Sequence, residues 1–187
     1  MSDPVRDSES APAVAVERRR VPREANGWRW LPLALGVIVV DQATKDWVVE
    51  HFRIYESVHL LPVLDFTLMF NTGAAFSFLS GASGWQKWVF VGLALIVGLA
   101  ILGWLRRLRA RSQGLLCCSL TLILGGALGN VIDRLRIGHV VDFISVHWGR
   151  EYYFPAFNVA DSAITIGAIL LLLDAWRESR STNKVGV

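Results

Sequence analysis

The stretch FNVADSAITIGAILLLLDAW, residues 157–176, decides what kind of fold this chain can have. From Val159 to Trp176 it is almost wholly apolar and close to the roughly 20 residues that a helix needs to cross a hydrocarbon layer. Asp161 nevertheless stands in its first turn. Two other windows have the same length and character, Trp88–Leu105 and Leu115–Ile132. A fourth is shorter: Trp30–Val40 is apolar, and extending the helix through Asp41 and Lys45 to Val49 brings it to spanning length. With 53% hydrophobic residues in 187 and a mean hydropathy of +0.41, the composition is that of a membrane protein. The arginines of RRRVPRE precede the first apolar run as in a secretory signal, but the run passes into DQATKDWVV and not into a small-residue cleavage site.

The placement of basic residues orients the spans. Six arginines precede Leu31, four lie in RRLRAR (residues 106–111), and Arg177, Arg180 and Lys184 follow Trp176. Short loops rich in Lys and Arg stay in the cytoplasm. With four spans these three segments share one side, so both termini are expected inside, and residues 50–87 and 133–158 outside. Trp28, Trp30, Trp47, Trp85, Trp88, Trp104 and Trp176 fall at or beside span ends, where amphipathic rings favour the headgroup layer. The expected fold is therefore a membrane protein with an all-α core of four transmembrane helices, N-in and C-in. The outward segments VHLLPVLDFTLMFNTG and GHVVDFISVHW with EYYFPAFN read as short strands, with Asn-Thr-Gly as a turn signal. The expected division is a disordered basic tail over 1–29, a four-span domain over 30–176 and a second cytoplasmic tail over 177–187. The net charge of +3 comes largely from the topology arginines and argues for no nucleic-acid partner. Cys117 and Cys118 are adjacent within a span and read as small apolar filler, with no disulfide framework.

Ionisable groups inside spans are costly, which makes each a candidate for function. Asp41 and Lys45, four apart, share a helix face as a neutralising pair, structural or functional. Gly125 and Gly129 allow close helix packing. Asn130 and Arg134 follow at the outer interface, where Arg134 either reaches out to the headgroups, pairs with a carboxylate or holds an acidic site in place. Asp142, in a strand, alternates with Val140, Ile144 and Val146, so it is either a desolvated carboxylate or the partner of Arg134 or Arg136. Asn158 is placed to N-cap the last helix, which makes Asp161 its third residue and a capping-box mimic.

Taken singly, Asp142 and Asp161 have these structural readings. Taken together, at one depth, they form the best acid/base pair in the chain. Neighbouring carboxylates do not readily both ionise, so one keeps a proton while the other is charged. The charged member activates water and the protonated one donates, the arrangement that peptide hydrolysis needs. HExxH, a G-x-S-x-G elbow and a phosphate-binding loop are all absent, and the histidines His51, His59, His139 and His147 are scattered, so no metal or cofactor is expected. A Ser145–Lys45 dyad has no support in the local pattern. A proton or ion path is the main rival, but the acidic groups cluster in the outer half of the bundle and do not form a chain across it. A non-enzymatic anchor using the Gly-rich span leaves the paired aspartates without a purpose.

DQATK (41–45), FNTGAAFSFL (70–79), GGALGNVIDR (125–134), GHVVDFI (138–144) and FNVADSAI (157–164) together resemble the lipoprotein (type II) signal peptidase family, over about Trp30 to Trp176. Each motif is weak alone; five in order, with matching topology, are specific. The resemblance implies an aspartyl endopeptidase of the bacterial inner membrane. Such an enzyme removes signal peptides from diacylglyceryl-modified prolipoproteins just before the lipidated cysteine. It implies that Asp142 and Asp161 are the catalytic dyad on the periplasmic side, with Asp41, Lys45, Asn71, Asn130, Arg134 and Asn158 in support. It implies no metal or cofactor, and as partners the lipidated precursors and membrane lipids, with a monomer sufficient. The stretch 70–79 or 50–65 is the expected lid.

Overall fold

A computed structural model describes residues 24–72, 84–149 and 152–183. Four helices carry the chain: α1 (Leu31–His51), α2 (Gln86–Arg107), α3 (Gly114–Arg136) and α4 (Val159–Asn183). Three of them, α2, α3 and α4 to Arg180, are long and apolar enough to cross a membrane. At 1.5 Å per residue, the 22 residues of α2 reach about 33 Å. The fourth, α1, begins with a proline in its first turn, after a short 3-10 helix at Gly27–Trp30, and carries Asp41, Lys45 and Asp46 in its second half. α4 does not stop at Trp176 but continues to Asn183.

α3 is the central helix and packs against α1, α2 and α4. Its glycines make this possible. A Cβ on Gly125 would lie 2.9 Å from the Ala34 carbonyl oxygen of α1, and one on Gly126 would collide with the Ala160 carbonyl oxygen of α4. Ala34, Ile101, Leu105, Leu108, Cys117, Leu120 and Leu124 form the apolar core between α1, α2 and α3. Outward faces are also apolar: Leu93, Ile96 and Leu99 on α2 and Ile166, Ile169 and Leu172 on α4 are exposed, while Asp41, Lys45, Asn130 and Asp133 are buried. That inversion suits helices whose solvent is hydrocarbon.

The segments between α1 and α2 and between α3 and α4 build one antiparallel sheet in the order β1 (Ser57–Leu61), β2 (Leu64–Asn71), β3 (Val140–Trp148), β4 (Tyr152–Tyr153). The β1–β2 turn falls at Pro62 and Val63, not at Asn-Thr-Gly. Asn71 instead ends β2, and Gly73 lies outside the described residues, as does the rest of the expected lid over 73–79. A bulge between Phe66 and Met69 shifts β2 against β3. Val141 and Phe143 face Val48 and Leu68 in a second apolar core. The start of β3 departs from simple alternation, because Val140, Val141, Asp142 and Phe143 are all buried. Val48 of α1 packs with Val141 and Phe143, and the start of α4 meets Asp142 through Asn158.

Residues 24–29, grouped with the tail in the sequence reading, are tied to the α2–α3 connection. Glu24 accepts hydrogen bonds from the backbone N–H groups of Arg111 and Ser112, both at 2.7 Å, and Gly27 N donates to the Leu108 carbonyl at 3.0 Å. Residues 1–23 lie outside the described part of the chain.

The close approach of α3 to α4 gives a stability test. Gly126→Ala should cost about 1–3 kcal/mol, because the Ala160 backbone cannot move aside. Gly36→Ala, at a site with open space, should leave the thermal midpoint in detergent unchanged or slightly raised. Equal midpoints for the two variants would contradict the packing.

Candidate active site

The site begins with a single ammonium group. Lys45 Nζ lies 2.8 Å from Asp41 Oδ2, 2.8 Å from Asp133 Oδ2 and 3.0 Å from Asn130 Oδ1, so each of its three protons has an acceptor. The expected Asp41–Lys45 pair is therefore present, but Lys45 stands between two carboxylates. Asp133 belongs to this group and was not singled out in the sequence. Its signal was positional, since Asn130 and Asp133 are three apart and share a face of α3. Gln42 also joins, donating through Nε2 to Asp41 Oδ2 at 3.2 Å and to Asp133 Oδ1 at 2.8 Å.

Each carboxylate then reaches the backbone beside one of the two expected catalytic aspartates. Asp41 Oδ1 accepts from Ala160 N at 2.8 Å, and Asp133 Oδ2 accepts from Val141 N at 3.2 Å. Those residues immediately precede Asp161 and Asp142. A Cβ on Gly129 would lie 2.6 Å from Asp41 Oδ2, so the absence of a side chain there makes room for the carboxylate.

Asn158 joins the two aspartates directly. It caps α4 as expected, its Oδ1 accepting from Asp161 N at 2.9 Å while its own N donates to Asp161 Oδ2 at 3.3 Å. Its Nδ2 donates to Asp142 Oδ1 at 2.8 Å. The preceding residue is bonded to β3: Phe157 N donates to the Ile144 carbonyl at 3.0 Å, and Ile144 N to the Phe157 carbonyl at 2.8 Å. The start of α4 is thus pinned beside the strand that carries Asp142. Asn130 Nδ2 donates to Asp161 Oδ1 at 2.8 Å and Asn71 Nδ2 to Asp142 Oδ2 at 3.1 Å.

Among the described residues Arg134 forms no ion pair with a carboxylate. Its Nη1 donates to the Asn130 carbonyl at 3.3 Å and its guanidinium lies 5.0 Å from the Phe90 ring centroid. Its charge still acts on Asp161, Asp142 and Asp133. Arg136 turns to Asp46, at 3.4 Å. Of the eight residues expected at the site, seven form one hydrogen-bonded group through their side chains, and Arg134 joins through a backbone carbonyl.

Asp142 is 2% exposed. Burial, followed by the charge of Asp161, pushes its carboxyl up to about 7, against the hydrogen bonds from Asn71 and Asn158 and the charge of Lys45. Near neutral pH this group can hold a proton beside a second carboxylate. One proton over two such groups can supply both a general acid and a general base.

Comparison with known proteins gives the family. A family model described as signal peptidase (SPase) II matches residues 33–177. The chain is 49% identical over 157 residues to the lipoprotein signal peptidase of Pseudomonas putida, covering 83% of this chain and 91% of the relative. It is 48% identical over 153 residues to that of Pseudomonas aeruginosa strain PAO1, covering 81% and 90%. A solved bacterial membrane enzyme superposes with a TM-score of 0.73 at 31% identity, covering 83% of this chain and 92% of the other. The chain is a protease of the aspartic type. It belongs to the signal peptidase II family, and with its apolar helices it is a bacterial membrane protein.

Two stability measurements follow. Lys45→Met leaves Asp41 and Asp133 buried without their counter-charge and should lower stability by about 3–5 kcal/mol, read as a fall in thermal midpoint. Asp142 has a folded-state pKa above its unfolded value, so its contribution is present at low pH and is lost as pH rises toward about 7. Asp142→Asn should therefore melt above wild type at roughly pH 8, with the gap closing on acidification. A gap that widens toward acid would refute the assignment.

Proposed function

We propose that this protein cleaves the signal peptide from diacylglyceryl-modified prolipoproteins immediately before the lipidated cysteine, using Asp142 and Asp161 as its catalytic dyad. The observation that carries the reading is Asn158, which is hydrogen-bonded to both carboxylates and fixes them as one unit. The names of the relatives support the substrate class, since they are lipoprotein signal peptidases.

In this mechanism Asp142 holds the proton at the outset, in keeping with its raised pKa. Asp161, at the first turn of α4 where backbone N–H groups favour negative charge, takes a proton from water. The resulting hydroxide oxygen attacks the scissile carbonyl, and Asp142 donates to the carbonyl oxygen as it becomes tetrahedral. As the C–N bond breaks, Asp142 takes back a hydroxyl proton from the tetrahedral diol, and the proton gained by Asp161 passes to the leaving amine of the lipidated cysteine. This restores the starting protonation of both groups; acid and base thereby exchange roles within one turnover. Lys45, Asp41, Asn130, Asn71, Asn158 and Arg134 are positioning residues, and no metal or cofactor enters the chemistry.

The membrane setting completes the proposal. Four spans, with α1 as the first, carry residues 30–176 across the bacterial inner membrane, and the basic segments before Leu31, at 106–111 and after Trp176 face the cytoplasm. The sheet and the dyad then face the periplasm, at the depth where a substrate anchored by acyl chains presents its cleavage site. One chain supplies all eight proposed residues, so a monomer suffices. Membrane lipids surround it, and nucleic acid has no part.

The test uses purified protein in detergent with a diacylglyceryl-modified prolipoprotein. Asp142→Asn and Asp161→Asn should each slow cleavage at least about a hundredfold. Wild-type activity should fall as pH rises above about 7, where Asp142 loses its proton. Either variant cutting at the wild-type rate removes the dyad, and equal cutting of unlipidated precursor removes the substrate claim.

A further inference from the structure

A second group of titratable side chains lies on the other face of β3 from Asp142. His59 on β1 pairs directly with Asp65 on β2, and Asp65 pairs with Ser145 on β3. His147, two residues beyond Ser145, shares that face. Three strands thus bring His59 Nδ1 to 2.6 Å and His147 Nε2 to 3.3 Å from the same oxygen, Asp65 Oδ1. All three atoms lie within 4.8 Å of one another. His147 lies five steps along the strand from Asp142, about 17 Å at strand rise, so this cluster stands apart from the dyad.

His147 Nδ1 lies 2.9 Å from the Gly149 carbonyl, which only accepts, so Nδ1 carries the hydrogen. Its Nε2 then points at Asp65 Oδ1 from 3.3 Å, the spacing of two ligand atoms on one tetrahedral zinc. A ring whose other N–H donates to a backbone carbonyl is also how metal-ligating histidines are oriented. Tyr153 stacks on the same ring at 5.1 Å and holds it in place.

We propose that His59, Asp65 and His147 bind one divalent transition-metal ion of the zinc class, which ties the β1–β2 hairpin to β3. Two imidazole nitrogens and one carboxylate oxygen make a three-ligand set with a fourth position open to water. Ligand atoms on a tetrahedral zinc stand about 3.3 Å apart, so His59 has to move outward from its 2.6 Å hydrogen bond. It is free to do so, because its side chain is 78% exposed while Asp65 is buried. Among the described residues this is the only group of three or more His, Cys, Asp or Glu side chains with such a geometry.

The test titrates zinc into tag-free, chelator-stripped full-length protein in detergent, against a chromogenic chelator. One zinc per chain should bind, with affinity at least about tenfold weaker in His59→Ala and His147→Ala and unchanged in His51→Ala and His139→Ala. Zinc should also raise the thermal midpoint of wild type and not of the double variant His59→Ala/His147→Ala. The exposed His59 makes its single variant safe for folding. Absence of saturable binding, or equal binding by wild type and the double variant, would overturn the site.

Discussion

A buried ammonium ion governs this structure. Removing Lys45 from water costs several kcal/mol, and only a complete set of acceptors offsets that cost. Asp41, Asp133 and Asn130 supply it, from α1 and α3. The second oxygen of Asp41 then takes the N–H of Ala160, and the Asp133 oxygen that meets Lys45 also takes the N–H of Val141. A charge-balancing requirement in the middle of an apolar bundle is thereby converted into the placement of two chain segments, the start of α4 and the start of β3. The two aspartates proposed as the dyad are thus positioned through the backbone beside them.

The helices make this possible by closeness. Gly125, Gly126 and Gly129 let α3 meet α1 and α4 at backbone contact, which brings short side chains such as Asp41 and Asn158 within reach of one another. Longer side chains at those three positions would separate the helices and stretch every bond in the network. Packing and electrostatics are therefore one constraint, satisfied by the absence of side chains on one element and the presence of charge on its neighbours.

Much of this was legible in the sequence, for reasons that differ by residue. The three long helices announced themselves by apolar length, and α1 by continuing its short run through a pair of charges four apart. Asn158 was readable as a cap because capping is local. Its second bond, to Asp142, joins chain segments sixteen residues apart through a strand and was not visible in any periodicity. Asp133, beside Arg134, carries no local signal of its ion pair, because its partner Lys45 lies on another helix. The alternation expected around Asp142 failed at Val141 and Phe143, because both faces of the strand are covered at its start. The histidine cluster was hidden for a similar reason, since strand register, not spacing, brings His59 and His147 together.

Because Asn158 and Asp161 belong to the last helix, the order of synthesis has a consequence. A nascent chain that has emerged as far as β3 already contains Asp142, Lys45, Asp133 and Asn130, but neither the cap nor the second carboxylate. The proposed dyad is complete only when the final segment docks against the finished helices, and on that proposal an incompletely made or misinserted chain is proteolytically silent.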